Sequence, residues 1–315
     1  MIKQKVAMLA QGNTYDDKGF LASCKEGLER AKSDFHLEIE YNIDTTSDQY
    51  AQRIKNFCDQ GFDLIIAIGY MWNDAVLLEA EYYPNVKFIL VDTELSQSRE
   101  NVISILFDVD EAAFPLGFLS AWWADSQNDG NPVTASVGAL EIPQVRQFIE
   151  PFENGADYYN DTYGRNVNSL HAYAGSFIDP GKGRQLAIDL IEEGADVIFG
   201  VGSQTGNGAL LGASELDVQG VGVDVDKYYS YPEVADILLS SAVKGLGNAI
   251  YEVVSLFADR EFIGKGVYRG SLSNDGVRIA PFHDYDYLIP DSVKSRIEVI
   301  KTGIIDGSIS TGWVE

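Results

Sequence analysis

"GFDLIIAIGYMWNDAVLLEAEYYPNVKFILVD", residues 61–92, decides how this chain folds. Leu64–Ile68 and Lys87–Val91 are near-continuous apolar runs bounded by turns, the pattern of parallel strands buried on both faces. Between them, residues 73–82 read as a helix. Working outward, Val6–Ala10 is a strand, and a helix over roughly 18–32 sets Phe20, Cys24, Leu28 and Ala31 on one face. Leu37–Tyr41 is the next strand, followed by a helix near 47–60 with Tyr50, Ile54, Phe57 and Cys58 apolar, and Val102–Leu106 is the fifth strand. This βαβα order predicts an open, doubly wound parallel sheet.

The pattern then restarts. A helix near 110–124 leads through the polar "DSQNDGNP" (125–132) to strands at Val133–Val137, Val167–Tyr173, Val197–Val201 and Val221–Val223. Helices fall between them near 144–160, 182–193 and 205–214. After the run Ile237–Leu239 come a helix near 242–258, the stretch "GVYRGSLSNDGVRIA" and a last helix near 291–304. A tail of this length suits a chain that crosses back to its first half, so that several crossings make a hinge. The expected lobes are 1–107 with about 240–272, and 108–239 with about 273–315. Two such halves predict a ligand cleft between them, lined by the C-terminal ends of strands.

Composition narrows the function. The 315 residues are 45% hydrophobic and 23% charged, enough for two ordinary domains. The net charge of −25 sets a field that repels phosphate and argues against nucleic acid or an anionic membrane face as partner. No apolar run approaches the ~20 residues that span a bilayer. Lys3 and Lys5 flank a run too short for a signal peptide. Cys24 and Cys58 have no CxxC spacing, and a 2-1-3 strand order puts their helices on opposite faces, so buried thiols are expected.

Catalytic signatures are missing. His36, His171 and His283 are scattered without an HExxH pair, and there is no G-x-S-x-G elbow. "GSQTGNG" (202–208) lacks a P-loop lysine and the dinucleotide spacing. It reads either as a turn whose glycines allow close helix packing or as a cradle of amides at a helix N-terminus. No cofactor and no metal is expected.

The strand ends carry the chemistry instead. The first delivers Gln11, Asp17 and Phe20 from "QGNTYDDKGF", the third Tyr70 from "GYMWND". Later ends deliver Phe177 from "YAGSFIDPGKG" and Asp224 from "GVDVD", while Lys244 is expected to begin the helix that follows. Aromatic faces stack on a flat ring, and carboxylates and an ammonium bond to sugar hydroxyls. Structural roles compete: Asp17 suits a helix N-cap, and Phe20 and Phe177 suit core positions.

Together these residues resemble the basic membrane protein family, the substrate-binding lipoproteins that include bacterial purine nucleoside receptors. "YDDKGFLASCKEGL", residues 61–92, "FDVDEAAFPLGFLSA" (107–121), "YAGSFIDPGKGRQLAIDLIEEGADVIFGVGSQTGNGAL" (173–210), "GVGVDVD" (220–226) and "SSAVKGLGNAIYE" (240–252) look like the family's successive blocks in order. The resemblance implies an α/β type I periplasmic-binding-protein fold of two doubly wound parallel-sheet domains joined by a multi-strand hinge. It implies a nucleoside ligand, purine favoured, delivered to the permease of an ABC importer. Phe20 and Phe177 then sandwich the base, Gly202, Asp224 and Lys244 hold the ribose hydroxyls, and Asp108 offers another polar contact. Gln11 stands where the family's nucleoside receptors usually carry an aspartate; Gly19 and Leu21 replace a serine and an asparagine.

The expectation is thus a monomeric extracytoplasmic binding protein with no catalysis, lipid-anchored in a precursor whose leader is not in this chain. The rival is a ligand-sensing domain of the same fold that signals to a receptor or regulator.

Overall fold

The computed structural model describes residues 3–44, 49–127 and 130–314. The expected helix start near 47, positions 128–129 of the polar stretch and the extreme ends of the two lobes lie outside the described residues. In chain order the elements are β1 (Lys5–Gln11), α1 (Phe20–Phe35), β2 (Glu38–Asp44), α2 (Tyr50–Asp59), β3 (Leu64–Ile68), α3 (Asn73–Tyr82), β4 (Lys87–Val91) and β5 (Val102–Phe107). Next come α4 (Asp110–Ser126), β6 (Val133–Gly138), α5 (Pro143–Tyr163), β7 (Asn168–Tyr173), α6 (Pro180–Glu192), β8 (Val197–Val201), α7 (Ser203–Glu215), β9 (Gln219–Asp224) and the one-turn α8 (Lys227–Ser230). The chain closes with β10 (Leu238–Lys244), α9 (Leu246–Ala258), β11 (Gly266–Gly270), β12 (Val277–Ile279) and α10 (Asp291–Ile305).

These elements form two compact units. The first comprises Met1–Asp17, Leu21–Phe107 and Leu246–Gly270; the second comprises Asp108–Gly245 and Ser271–Glu315 together with the short piece Lys18–Phe20. Crossings after Phe107, Gly245 and Gly270 therefore divide each unit into separate stretches of sequence.

The first unit is built on a sheet ordered β2-β1-β3-β4-β5-β11, all parallel. Every residue of β3 is buried, as a run of "LIIAI" flanked by helices on both faces requires. On one side α2 and α3 supply Ile54, Phe57, Cys58 and Val76 to a core shared with Ile65, Phe88 and Leu90. Elsewhere α1 and α9 approach closely: a Cβ on Gly27 would stand 2.1 Å from the Gly247 carbonyl oxygen, and Ser23 Oγ accepts the Gly247 amide at 3.2 Å. Cys24 and Cys58 are buried thiols on α1 and α2. Burial, with Glu79 nearby, pushes the Cys58 thiol up to about 12.

The second unit carries a sheet ordered β12-β10-β9-β8-β6-β7, parallel except for the antiparallel edge strand β12. α4 and α5 cover one face, and they meet backbone to backbone: a Cβ on Gly117 would lie 1.8 Å from the Phe152 carbonyl oxygen, and one on Gly155 would lie 1.9 Å from that of Phe114. α6 and α7 pack on Val133, Ala135 and Ile198 through Ala187, Leu190, Ala209 and Leu210.

One boundary differs from the sequence reading. Residues 238–244 form a fully buried seven-residue strand of the second sheet, and the helix expected from 242 starts at Leu246. Two serines inside the run disguised it. Both hydroxyls are satisfied internally, Ser240 Oγ donating to the Ala280 carbonyl at 2.7 Å and Ser241 Oγ accepting the Lys227 amide at 3.2 Å. The stretch 240–245, assigned above to the first lobe, is therefore part of the second unit.

Gly117→Ala forces a methyl into the Phe152 backbone, an overpacking worth about 2–3 kcal/mol. The melting temperature should fall by roughly 5 °C or more. An unchanged melting temperature would show that α4 and α5 are not in backbone contact.

Candidate ligand-binding site

Parallel pairing sets the C-terminal ends of β6, β8, β9 and β10 along one edge of the second sheet. β8 ends into Gly202, whose φ of +104° and tight contact with Ala139, 2.4 Å from an added Cβ, admit only glycine. β9 ends at Asp224, buried and held at φ +71°, a left-handed conformation that aspartate tolerates better than most residues. Asp224 registers with Val243 of β10, so Lys244 is the next residue on the neighbouring strand. Lys244 is 3% exposed. Its ammonium stands 5.2 Å from the centre of the Phe20 ring and 5.3 Å from that of Phe148 on α5, a cation between two aromatic faces. Lys244 therefore closes a strand and does not begin a helix, which removes any conflict with a helix dipole.

Phe177 lies in the loop between β7 and α6 and is half-buried. Its carbonyl accepts the Thr205 amide at 3.2 Å; Thr205 Oγ1 donates to the Ser176 carbonyl at 2.6 Å and accepts the Asp179 amide at 3.1 Å. The first turn of α7 thus fixes the Phe177 loop. The glycines of "GSQTGNG" are accounted for by close packing: an added Cβ would meet the Gly200–Val201 backbone from Gly206 and the Pro180 carbonyl oxygen, at 2.0 Å, from Gly208. In "GVDVD" the two carboxylates separate, since Asp226 caps α8 through the Tyr228 amide at 3.2 Å and meets His283 Nε2 at 2.8 Å.

Asp108 opens the second unit immediately before α4, half-buried beside two further acids. Asp110 accepts Thr311 Oγ1 at 2.7 Å and Gln147 Nε2 at 3.0 Å, while Glu111 accepts the Leu272 amide at 2.6 Å. Burial raises both carboxyls above their usual range, with the Asp108 charge adding to the effect.

In the first unit, Gln11 ends β1 and its Oε1 accepts the Tyr50 hydroxyl at 2.9 Å. Tyr50 rests on Trp72, ring centres 4.6 Å apart, and Trp72 is wholly buried in the core. Tyr70, on the turn after β3, is 37% exposed. Asp17 is buried, with its carboxylate on the Leu21 amide at 3.2 Å and the Ala22 amide at 3.0 Å; it caps α1.

The structure thus brings Phe20, Asp224 and Lys244 together with Phe148, which the sequence reading missed. Phe148 lies with Val145, Ile149 and Phe152 on the apolar face of α5 and carries no signal beyond a core residue. Lys227 was missed as well, a wholly buried lysine one residue beyond "GVDVD". Among the described residues no group of three or more His, Cys, Asp and Glu side chains could hold a metal. Nor is any described helix long and apolar enough to cross a membrane.

The family profile described as "ABC transporter substrate-binding protein PnrA-like" matches residues 3–311. The chain belongs to this family, the basic membrane proteins. Basic membrane protein B of Borreliella burgdorferi is 28% identical over 297 residues, covering 91% of this chain and 83% of that protein. An uncharacterized lipoprotein of Pyrococcus furiosus is 28% identical over 282 residues, 87% of this chain and 69% of the relative. Among solved structures, an ABC transporter solute-binding protein from Aeropyrum pernix superposes with a TM-score of 0.90 at 21% identity, covering 98% of this chain and 93% of its own. A transcriptional activator of the comK gene from Bacillus halodurans gives 0.75 at 20% identity, with 96% and 98% covered. The fold is that of type I periplasmic solute-binding proteins, and this basic membrane protein is a substrate-binding component of ABC transport.

Asp17→Ala leaves two first-turn amides of α1 without their acceptor. The expected loss is about 1 kcal/mol of stability, read as a lower melting temperature. An unchanged melting temperature would remove the capping role.

Proposed function

We propose that this basic membrane protein captures a nucleoside, a purine nucleoside by preference, and delivers it to the permease of an ABC importer without chemically altering it. The observation that supports this most is the Lys244 ammonium between the Phe20 and Phe148 rings, one strand from the buried Asp224 carboxylate. An aromatic face beside a buried cation and a buried anion on one sheet edge suits a ligand with a flat ring and vicinal hydroxyls. The ring stacks, hydroxyls donate to the carboxylate and accept from the ammonium, and charge-assisted bonds in a dry setting are the stronger kind. Phe20 and Phe177 are the proposed base contacts; Gly202, Asp224 and Lys244 are the proposed ribose contacts. Asp108, Gln11, Asp17 and Tyr70 are proposed as further polar or aromatic contacts.

Gln11 bears on the choice of base. An amide both donates and accepts, whereas an ionised carboxylate only accepts, so a glutamine prefers a different pattern of ring acceptors from an aspartate. The working protein is proposed to be a monomer outside the cytoplasm, lipid-anchored as its family relatives' names describe those proteins.

A panel of purine and pyrimidine nucleosides at saturating concentration should raise the melting temperature by several degrees, since a ligand at about 100 times its Kd adds about 2.7 kcal/mol. Asp224→Ala should weaken the best of them by about 2 kcal/mol or more. A panel without any shift overturns the nucleoside assignment; unchanged affinity in the variant removes Asp224 from the ribose contacts.

A further inference from the structure

Lys227 is not among the proposed ligand contacts, yet the residue is only 1% exposed. A buried ammonium is costly unless its hydrogens are bonded. Here Nζ donates to the side-chain oxygen of Asn207 on α7 at 2.8 Å and to the main-chain carbonyl of Lys18 at 2.8 Å. The Ser230 hydroxyl donates to the same carbonyl at 3.0 Å. The stem of Lys227 crosses Gly222 of β9 so closely that a Cβ there would fall 2.4 Å from Lys227 Cγ, and the Lys227 amide is held by Ser241 Oγ at 3.2 Å. Of these named groups, all but one sit on a regular element. The exception is Lys18, in the three-residue piece 18–20 that ends at Phe20.

We infer that Lys227 is a positioning residue for the ligand-stacking aromatic: its buried ammonium anchors the Lys18 carbonyl to α7 and so fixes where the Phe20 ring stands beside Lys244. The inference rests on the proposed nucleoside reading for the role of Phe20, but the anchoring itself does not depend on it. The driving force is one-sided. If the 18–20 backbone moved away, the charge would lose an acceptor in a place water does not reach. The surface contacts of the same piece are secondary. Lys18 Nζ meets Glu233 at 2.9 Å and lies 4.2 Å from the centre of the Tyr231 ring, but its exposed ion pair contributes little.

Lys227→Met keeps the apolar stem and removes the donor; Ser230→Ala is the milder companion should that variant fold poorly. Hydrogen exchange on the nucleoside-free protein is the first measurement. The amides of residues 18–20 should exchange at least tenfold faster in Lys227→Met, and measurably faster in Ser230→Ala, while those of β9 and β10 keep wild-type rates. Unchanged exchange at 18–20 in both variants overturns the anchoring, whatever the protein binds. A double-mutant cycle with inosine, adenosine and guanosine is the second. Lys227→Met should weaken binding at least tenfold in the wild-type background and less than twofold in a Phe20→Ala background. Equal losses in both backgrounds would show that Lys227 does not act through Phe20. If the wild-type chain bound none of the three while the exchange result held, the nucleoside reading would fail and the anchor would stand.

Discussion

Parallel hydrogen bonding of β7, β6, β8, β9 and β10 obliges five strands of the second unit to finish on one edge, and the candidate site follows from that constraint. A parallel strand cannot turn straight back, so each end must hand over to a loop or helix at the same level. Glycine supplies the turn at 202, and aspartate tolerates it at 224, both with positive φ. Because the sheet is covered on both faces, Asp224 and Lys244 arrive at this edge already withdrawn from water. Their mutual placement is set by backbone register and not by side-chain search, which is the kind of preorganisation a selective binding site needs.

Close helix packing supports the same edge. α7 sits tight against β8 and α6 through Gly206, Gly208 and Gly212. Thr205 and Asn207, interleaved with those glycines, hold the Phe177 loop and the Lys227 ammonium. One segment, "GSQTGNG", thus packs a helix and organises two neighbouring pieces of chain. The two readings offered for it from sequence were close packing or an amide cradle. The glycines fall under the first, and the Thr205 amide is directed to protein, at the Phe177 carbonyl.

Much of the fold was legible because buried parallel strands are written as unbroken apolar runs. β3, β4 and β8 begin and end where those runs do. β10 was legible only in part, since Ser240 and Ser241 look like a break until their partners, the Ala280 carbonyl and the Lys227 amide, are seen. The same long-range logic hid Phe148 and Lys227. Phe148 reads as one more core residue on an amphipathic helix, and its proximity to Lys244 depends on how α5 lies over the sheet. Lys227, amid tyrosines and aspartates, was not singled out in the sequence; its stem lies across the bare face of Gly222. Asp17, Phe20 and Asp224 were readable because they follow a recognisable strand or open a helix, whereas Lys244 was picked out as a helix-start lysine and in fact ends β10. The sequence signal for them was position, and their chemistry then suggested a ligand with a ring and hydroxyls.

We propose that this basic membrane protein carries a nucleoside. Native mass spectrometry tests it most directly, on protein purified without unfolding and then offered an equimolar mixture of nucleosides, free nucleobases, pentoses, hexoses and amino acids. One bound nucleoside per chain is expected, selected from the mixture over its own free base and over ribose. Selection of a sugar or an amino acid in preference to every nucleoside, or no uptake of any component, would contradict it.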